Sequence, residues 1–369
     1  MPDVISKKME ERIKALLERG VKEGVYPGAV LMVGLRGKVI LFQEIGNRAL
    51  VPHSLPMERD TIFDLASLTK PLGTTLALMK LVDMRKIELD QSLHDLLPEV
   101  PPVDKLIITP RHLLSHSSGF PDWLPLFLEL EEVRQEERKE QLRQRLLGID
   151  LVYPVGKGVI YSDLGFMLLE WVIEEAAGKA MPLFLQKSFY APLSLDTAFF
   201  SNHSKRLRQD AERFAATERC PWRRQVLQGS VHDENAFALG GWSGHAGLFG
   251  TAGEVFTLVE FLRAHFAGER SDYFKPETIR GFFTRQDLVN GSTWALGWDT
   301  PSKHGSSSGR YFSETSVGHL GFTGTSIWMD LNKDLVIIFL TNRVHPTRKN
   351  EKIKAFRPIL HDLIMEVTG

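Results

Sequence analysis

Cysteine is nearly absent. Only Cys220 among 369 residues carries a thiol, so no internal disulfide holds the fold. No His or Asp pattern surrounds Cys220, and it reads as an inert thiol rather than a nucleophile. An excess of charge of either sign is missing too. Lys and Arg number 45 against 46 Asp and Glu, a net charge of −1, which leaves neither a basic footprint for nucleic acid nor an acidic tail. No apolar run approaches the roughly 20 residues of a membrane span. The opening stretch, Met1 to Lys22, is a charged amphipathic helix with Met9, Ile13, Leu16 and Leu17 on one side, not a secretory signal. The chain as given is therefore expected to be cytoplasmic, with no nucleic-acid or membrane partner.

What is present is an ordinary globular composition, 43% apolar and 25% charged, on a chain long enough for one large domain or two. Ala29–Leu35, a turn at Arg36-Gly37-Lys38 and Val39–Phe42 read as a β-hairpin. Thr325–Asp330 and Leu335–Leu340 form a second apolar strand pair about the turn Asn332–Asp334, and a last helix runs from about Asn350 to Val367. Between them, Thr69–Arg85, Arg111–Ser115, Phe127–Leu147, Leu164–Ala177 and Gly253–Phe266 show helical spacing. The expected fold is α/β (α+β): an antiparallel sheet flanked by N- and C-terminal helices, with an inserted all-helical region. Residues 1–62 and 266–369 are expected to build the sheet domain, and 63–265 the helical domain, with a site in the cleft between them. The charge-dense run Glu129–Arg145 reads as a solvated helix laced with i,i+4 ion pairs, and Ser302–Arg310 as a surface loop.

Three short motifs carry chemistry. In Asp64-Leu-Ala-Ser67-Leu-Thr-Lys70-Pro71, the proline fits only the first turn of a helix. Ser67 then sits at the helix start, facing the positive end of the dipole, with Lys70 one turn on along the same face. A desolvated lysine beside a serine can take its proton, although a plain N-cap serine has the same signature. Tyr161-Ser162-Asp163 precedes the apolar helix and can project Tyr161 and Asp163 into a cleft; a buried tyrosine and a capping Asp163 are the plainer alternative. His319-Leu320-Gly321-Phe322-Thr323-Gly324 leads into a strand. Its glycines would let a substrate lie along the strand edge, and the Phe322 N–H could join that of Ser67 as an oxyanion hole. His232, Asp233, Glu234 and His245 match no standard zinc spacing and read as a hydrogen-bond network, so no metal is expected.

In this order and spacing the motifs resemble the penicillin-recognising serine hydrolases, defined by Ser-x-x-Lys, a second polar motif and a Lys-Thr-Gly triad. The likeness is closer to class C β-lactamases, their esterase relatives and D-aminopeptidase-type hydrolases, where the second motif is Tyr-x-Asn and the third is Lys-Thr-Gly or His-x-Gly. It extends to His116-Ser-Ser-Gly-Phe-Pro121, Gly247–Glu254 and Thr341–Pro346. The resemblance implies a β-lactamase/transpeptidase-like fold, an acyl-enzyme on Ser67, proton transfer by Lys70 and Tyr161, no cofactor, and a small-molecule or peptide-like ester or amide substrate.

Two positions depart from the pattern. Asp163 replaces an Asn that would donate to a substrate carbonyl, and an ionised Asp cannot donate. It is expected to hold Lys70 protonated or to bind a substrate amine. His319 replaces a Lys, and a neutral imidazole grips a carboxylate poorly, so Arg343 or Arg348 is the expected substitute. Gly229–Ala236 and Gly240–Gly247 further resemble relatives linked to cell-wall amino-sugar recovery, some of which cleave muramyl-peptide amides. A DD-peptidase or β-lactamase and a non-catalytic ligand sensor of the same fold are the competing readings.

Overall fold

The computed structural model describes residues 5–200 and 211–368; residues 1–4 of the expected first helix lie outside that range. From the N-terminus come α1 (Lys7–Lys22), β1 (Gly28–Leu35), β2 (Lys38–Ala49), β3 (Leu55–Pro56) and α2 (Leu76–Asp83). Later come α3 (Asp163–Ala177), α4 (Ala252–Phe266), β4 (Val317–Leu320), β5 (Ser326–Asp330), β6 (Leu335–Thr341) and α5 (Ile353–Thr368). The six strands form one antiparallel sheet in the order β3-β2-β1-β6-β5-β4, so the two ends of the chain meet at its centre, where β1 pairs with β6.

The alternation along the central strands explains the layering. Ala29, Leu31 and Val33 of β1 and Leu335, Ile337 and Phe339 of β6 pack against Ile13 and Leu17 of α1 and Leu360 and Ile364 of α5. Val30, Met32, Val336, Ile338 and Leu340 point the other way, into the large core that includes Val255, Val259 and Leu262 of α4. A sheet covered on both faces reads as continuous apolar runs, which is why β1 and β6 stand out in the sequence. Among the described residues, no helix is long and apolar enough to cross a membrane. Cys220 is buried and free.

One expected element is not continuous. The run expected as a single helix over Phe127–Leu147 is two, Leu126–Glu129 and Arg138–Leu147, joined by turns. Of the intervening residues 130–137 only Leu130 and Val133, at the start, face the core, so a helix continued through Arg134-Gln135-Glu136-Glu137 would bury almost nothing. Arg138 closes the break by donating to the carbonyls of Val133 and Ala238, at 2.8 and 2.9 Å. Its neighbours also reach outward: Lys139 pairs with Glu170 and Arg143 with Glu174 on α3, both at 2.6 Å.

Candidate active site

Ser67 is positioned by a strained turn. The short strand Phe63–Asp64 pairs with Leu248–Gly250, and the chain then enters a 3-10 turn, Ala66–Leu68. Ala66 has φ +47°, a left-handed conformation unfavourable for a residue with a Cβ. Buried Asp64 holds it there: Oδ1 accepts the Ala66 N–H at 2.9 Å and Oδ2 the His232 N–H at 2.6 Å. Burial pushes the Asp64 carboxyl above its usual range, and those N–H groups only partly counter it. Beyond Ser67 the helix opens as a wide π-type turn, Lys70–Thr75, before tightening into α2. Pro71 sits at the start of that turn, where a missing N–H costs little.

Lys70 is completely buried beneath Ser67. Its ammonium donates to Ser67 Oγ at 3.1 Å, Asp163 Oδ1 at 2.6 Å and the His245 carbonyl at 3.5 Å. The nitrogen also lies 4.6 Å from the centre of the Tyr161 ring. Burial alone would lower the lysine pKa, but the Asp163 carboxylate and Tyr161 overcome it and raise it above the ordinary value. Tyr161 is partly open to solvent, and its hydroxyl feels the Lys70 charge beneath its ring. Desolvation of that hydroxyl raises its pKa and the Lys70 charge pulls it back, leaving it raised overall. Asp163 opens α3, with Ser162 as its N-cap, so the carboxylate faces the favourable end of the helix dipole.

The edge strand β4 supplies the opposite wall. Its exit turn is tied to the residues just before Ser67: Thr323 Oγ1 donates to the Asp64 carbonyl at 2.8 Å, and Thr325 Oγ1 to that of Leu65 at 3.1 Å. The approach is so close that a Cβ on Gly321 would stand 2.6 Å from the Leu65 oxygen and 2.0 Å from Thr325 Oγ1. Phe322 is therefore presented, half exposed, beside the serine turn. Arg343 sits behind this turn. Its guanidinium donates twice to the Phe322 carbonyl and also to those of Arg348 and Asn350, fixing the backbone. Arg348 pairs with Glu218 and Glu234.

His319 is buried against the Tyr161 and Trp294 rings, with centroids 5.9 and 5.8 Å away. Burial and the nearby Lys70 charge push its pKa down to about 3, so the ring is neutral near pH 7. Its Nδ1 pairs with the Leu320 carbonyl at 2.8 Å, and that tautomer leaves Nε2 as an acceptor with no protein partner among the described residues. Trp294 stacks on Tyr161 at 5.6 Å and meets His116 edge-on at 4.3 Å, completing an aromatic wall.

Ser67, Lys70, Tyr161 and Asp163 thus converge; His319, Gly321 and Phe322 line the neighbouring edge, and Arg343 acts on the turn from behind. Trp294 was not singled out by the sequence, because it lies in an irregular segment with no motif around it. Asp163, Asp233 and His245 bring ligand-type atoms within 4.8 Å of one another. However, Asp163 is engaged by Lys70, and Asp233 by His245 Nε2 at 2.9 Å. A divalent ion there would have to displace an ammonium, so the group fits an ion-pair network better than a metal centre.

The family model described as Beta-lactamase matches residues 13–358. An N-acetylmuramyl-L-alanine amidase of Bacillus subtilis (strain 168) is 31% identical, the match covering 92% of this chain and 82% of that protein. A protein of Escherichia coli (strain K12), provisionally named a D-alanyl-D-alanine carboxypeptidase, is 29% identical over 87% of this chain and 79% of its own. Among solved structures, EstCE1, a hydrolase with promiscuous acyltransferase activity, superposes with a TM-score of 0.73 at 22% identity, covering 95% of this chain and 99% of that one. At that identity the shared property is the fold.

Proposed function

The chain belongs to the Beta-lactamase family and is a serine hydrolase of that fold; from this premise we propose that it cleaves the amide of a cell-wall-derived muramyl peptide through an acyl-enzyme on Ser67. The observation that carries the reading is the fully buried Lys70 ammonium, 3.1 Å from Ser67 Oγ and close to Tyr161. Ser67 Oγ attacks the acyl carbon, and its proton passes into the Lys70–Tyr161 pair. The N–H groups of Ser67 and Phe322 receive the developing oxyanion. The amine leaves with a proton returned by the pair, and water then releases the acyl group.

Substrate class is inferred from charge. A β-lactam or a peptide ending in D-alanine presents a carboxylate near the scissile bond. Here the neighbouring histidine is neutral, Arg343 is committed to three carbonyl oxygens and Arg348 to two carboxylates. An amide without that carboxylate fits better, in line with the amidase relative. The test is product analysis after offering N-acetylmuramyl-L-alanyl peptides and peptides ending in D-alanyl-D-alanine. Release of peptide from the muramyl substrate by wild type, and none by Ser67→Ala, is expected. Release of D-alanine alone would assign the carboxypeptidase reading, which the Escherichia coli relative favours. Identical behaviour of wild type and Ser67→Ala would assign a ligand sensor.

A further inference from the structure

We propose that Trp123, Phe127 and Trp222 form a sugar-binding platform that continues the cleft beyond Asp163 and takes the pyranose ring of an N-acetylhexosamine. The inference rests on Ser67 cleaving a muramyl amide and deepens that reading by naming where the sugar lies. In such an amide the sugar belongs to the acyl half, which stays on Ser67 when the amine leaves. The platform starts next to the site: the Asp163 N–H donates to the Asp122 carbonyl at 2.8 Å, and Trp123 is the next residue. Trp123 and Trp222 are 38% and 36% exposed, although indole rings normally bury most of their surface. Phe127 lies between them, its ring centroid 6.4 Å from that of Trp123 and 4.7 Å from that of Trp222.

These rings are held from behind. The Asn235 side chain accepts the Phe127 N–H at 2.8 Å and donates to the Leu124 carbonyl at 2.9 Å, which ties residues 124–127 to the helix Glu234–Ala238. Asp233, the cap of that helix, also binds His245, so the platform and the floor of the site share one frame. Trp222 lies in the turn between the paired strands Arg219–Cys220 and Gln225–Val226. Its indole meets Phe237 edge-on at 5.8 Å, and its Nε1 donates to Glu131 Oε1 at 3.0 Å. Glu131 stands where the charged 129–145 run leaves the helical form, so that break sets an acceptor against the indole.

The chemistry of this surface selects its occupant. One face of a pyranose is a plane of slightly positive C–H groups, which lies flat on the negative face of an aromatic ring. Its hydroxyls and N-acetyl group stay at the edge and need hydrogen-bonding partners. Exposed rings with a polar rim meet both needs, and here Asp122, Glu131 and Gln135 are exposed beside the rings. An acyl chain needs an unbroken apolar groove instead. An extended peptide pairs with a strand edge, and the edge strand β4 lies on the opposite wall of the site. The sugar and the leaving peptide are thereby assigned to different walls.

The test is saturation-transfer NMR on the Ser67→Ala chain, with N-acetylmuramic acid as the probe and octanoate as the alternative occupant. Saturation should pass to the ring protons of the sugar, and its Kd should rise about 10-fold or more when Trp123→Ala is added. Equal affinity with and without Trp123, or no transfer to the sugar, overturns the platform. Octanoate bound in preference to the sugar, and lost in Trp123→Ala, makes the patch an acyl-chain site and overturns it too. If Trp123→Ala does not fold, Trp222→Ala is read in the same way. Product analysis separates this inference from the reading beneath it. Wild type that cleaves N-acetylmuramyl-L-alanyl peptides without binding the sugar overturns the platform alone. Sugar binding that depends on Trp123, with no cleavage by wild type, supports the platform and overturns the amidase reading.

Discussion

At the scale of single residues, the site depends on groups held in costly states. Ala66 is kept left-handed by a buried carboxylate, Lys70 is charged without solvent, and His319 is buried and neutral. The last has a thermodynamic consequence. The His319 pKa falls from 6.5 to about 3 on folding, so the unfolded chain binds its proton first as pH drops. Its share of stability is complete above the unfolded value and is lost progressively as pH falls toward the folded one. Melting temperature measured between about pH 7 and about pH 4 should fall less steeply in His319→Gln than in wild type. Parallel curves would show that the ring titrates alike in both states. Ser67, Lys70 and Tyr161 are legible in the sequence because they fall in short motifs at fixed spacing, and Asp163 because it departs from the Asn expected in one of them. Trp294 is not, because stacking on Tyr161 requires only a ring brought there by the fold.

At the scale of elements, legibility follows burial. The strands β1, β5 and β6 are readable because both faces are covered. β2 is expected to stop near Phe42 but runs on to Ala49 through Gln43-Glu44-Ile45-Gly46-Asn47-Arg48. Pairing extends it, with Gly28 opposite Gly46, and no local apolar pattern marks that stretch. β4 carries no apolar run of its own and is a strand by its register with β5 and a bridge from Gly318 to Asp299. The charged 129–145 stretch shows the opposite failure: helix-favouring residues without an apolar stripe break into two short helices. The turn after β4 is tied to the backbone before Ser67 by two threonines. Gly321→Ala should push that turn off Leu65 and lower kcat on an activated ester by about 100-fold, as an ångström-scale misplacement does. The accompanying stability loss should be only about 1–3 kcal/mol. Retained kcat with the same stability loss would show that the turn does not position the site.

At the scale of the whole molecule, two layers divide the work. Helices α1 and α5 bury one face of the sheet, and the other face builds the large core that includes Leu65 and Leu68, on either side of Ser67. Both chain ends contribute to the central strand pair, so the edge strand carrying His319 and the turn carrying Ser67 meet only once the chain has closed on itself. That closure brings together Leu65 and Thr325, residues 260 apart in sequence. It makes the fold a precondition for the reactivity proposed for Ser67, with an acyl-enzyme as the expected product. The decisive measurement is the intact mass of the protein after brief exposure to an activated ester, followed by peptide mapping. One acyl group per chain, located on Ser67 and absent from Ser67→Ala, is the expected result. An unmodified chain that still turns over the ester, or an acyl group on another residue, would contradict Ser67 as the nucleophile.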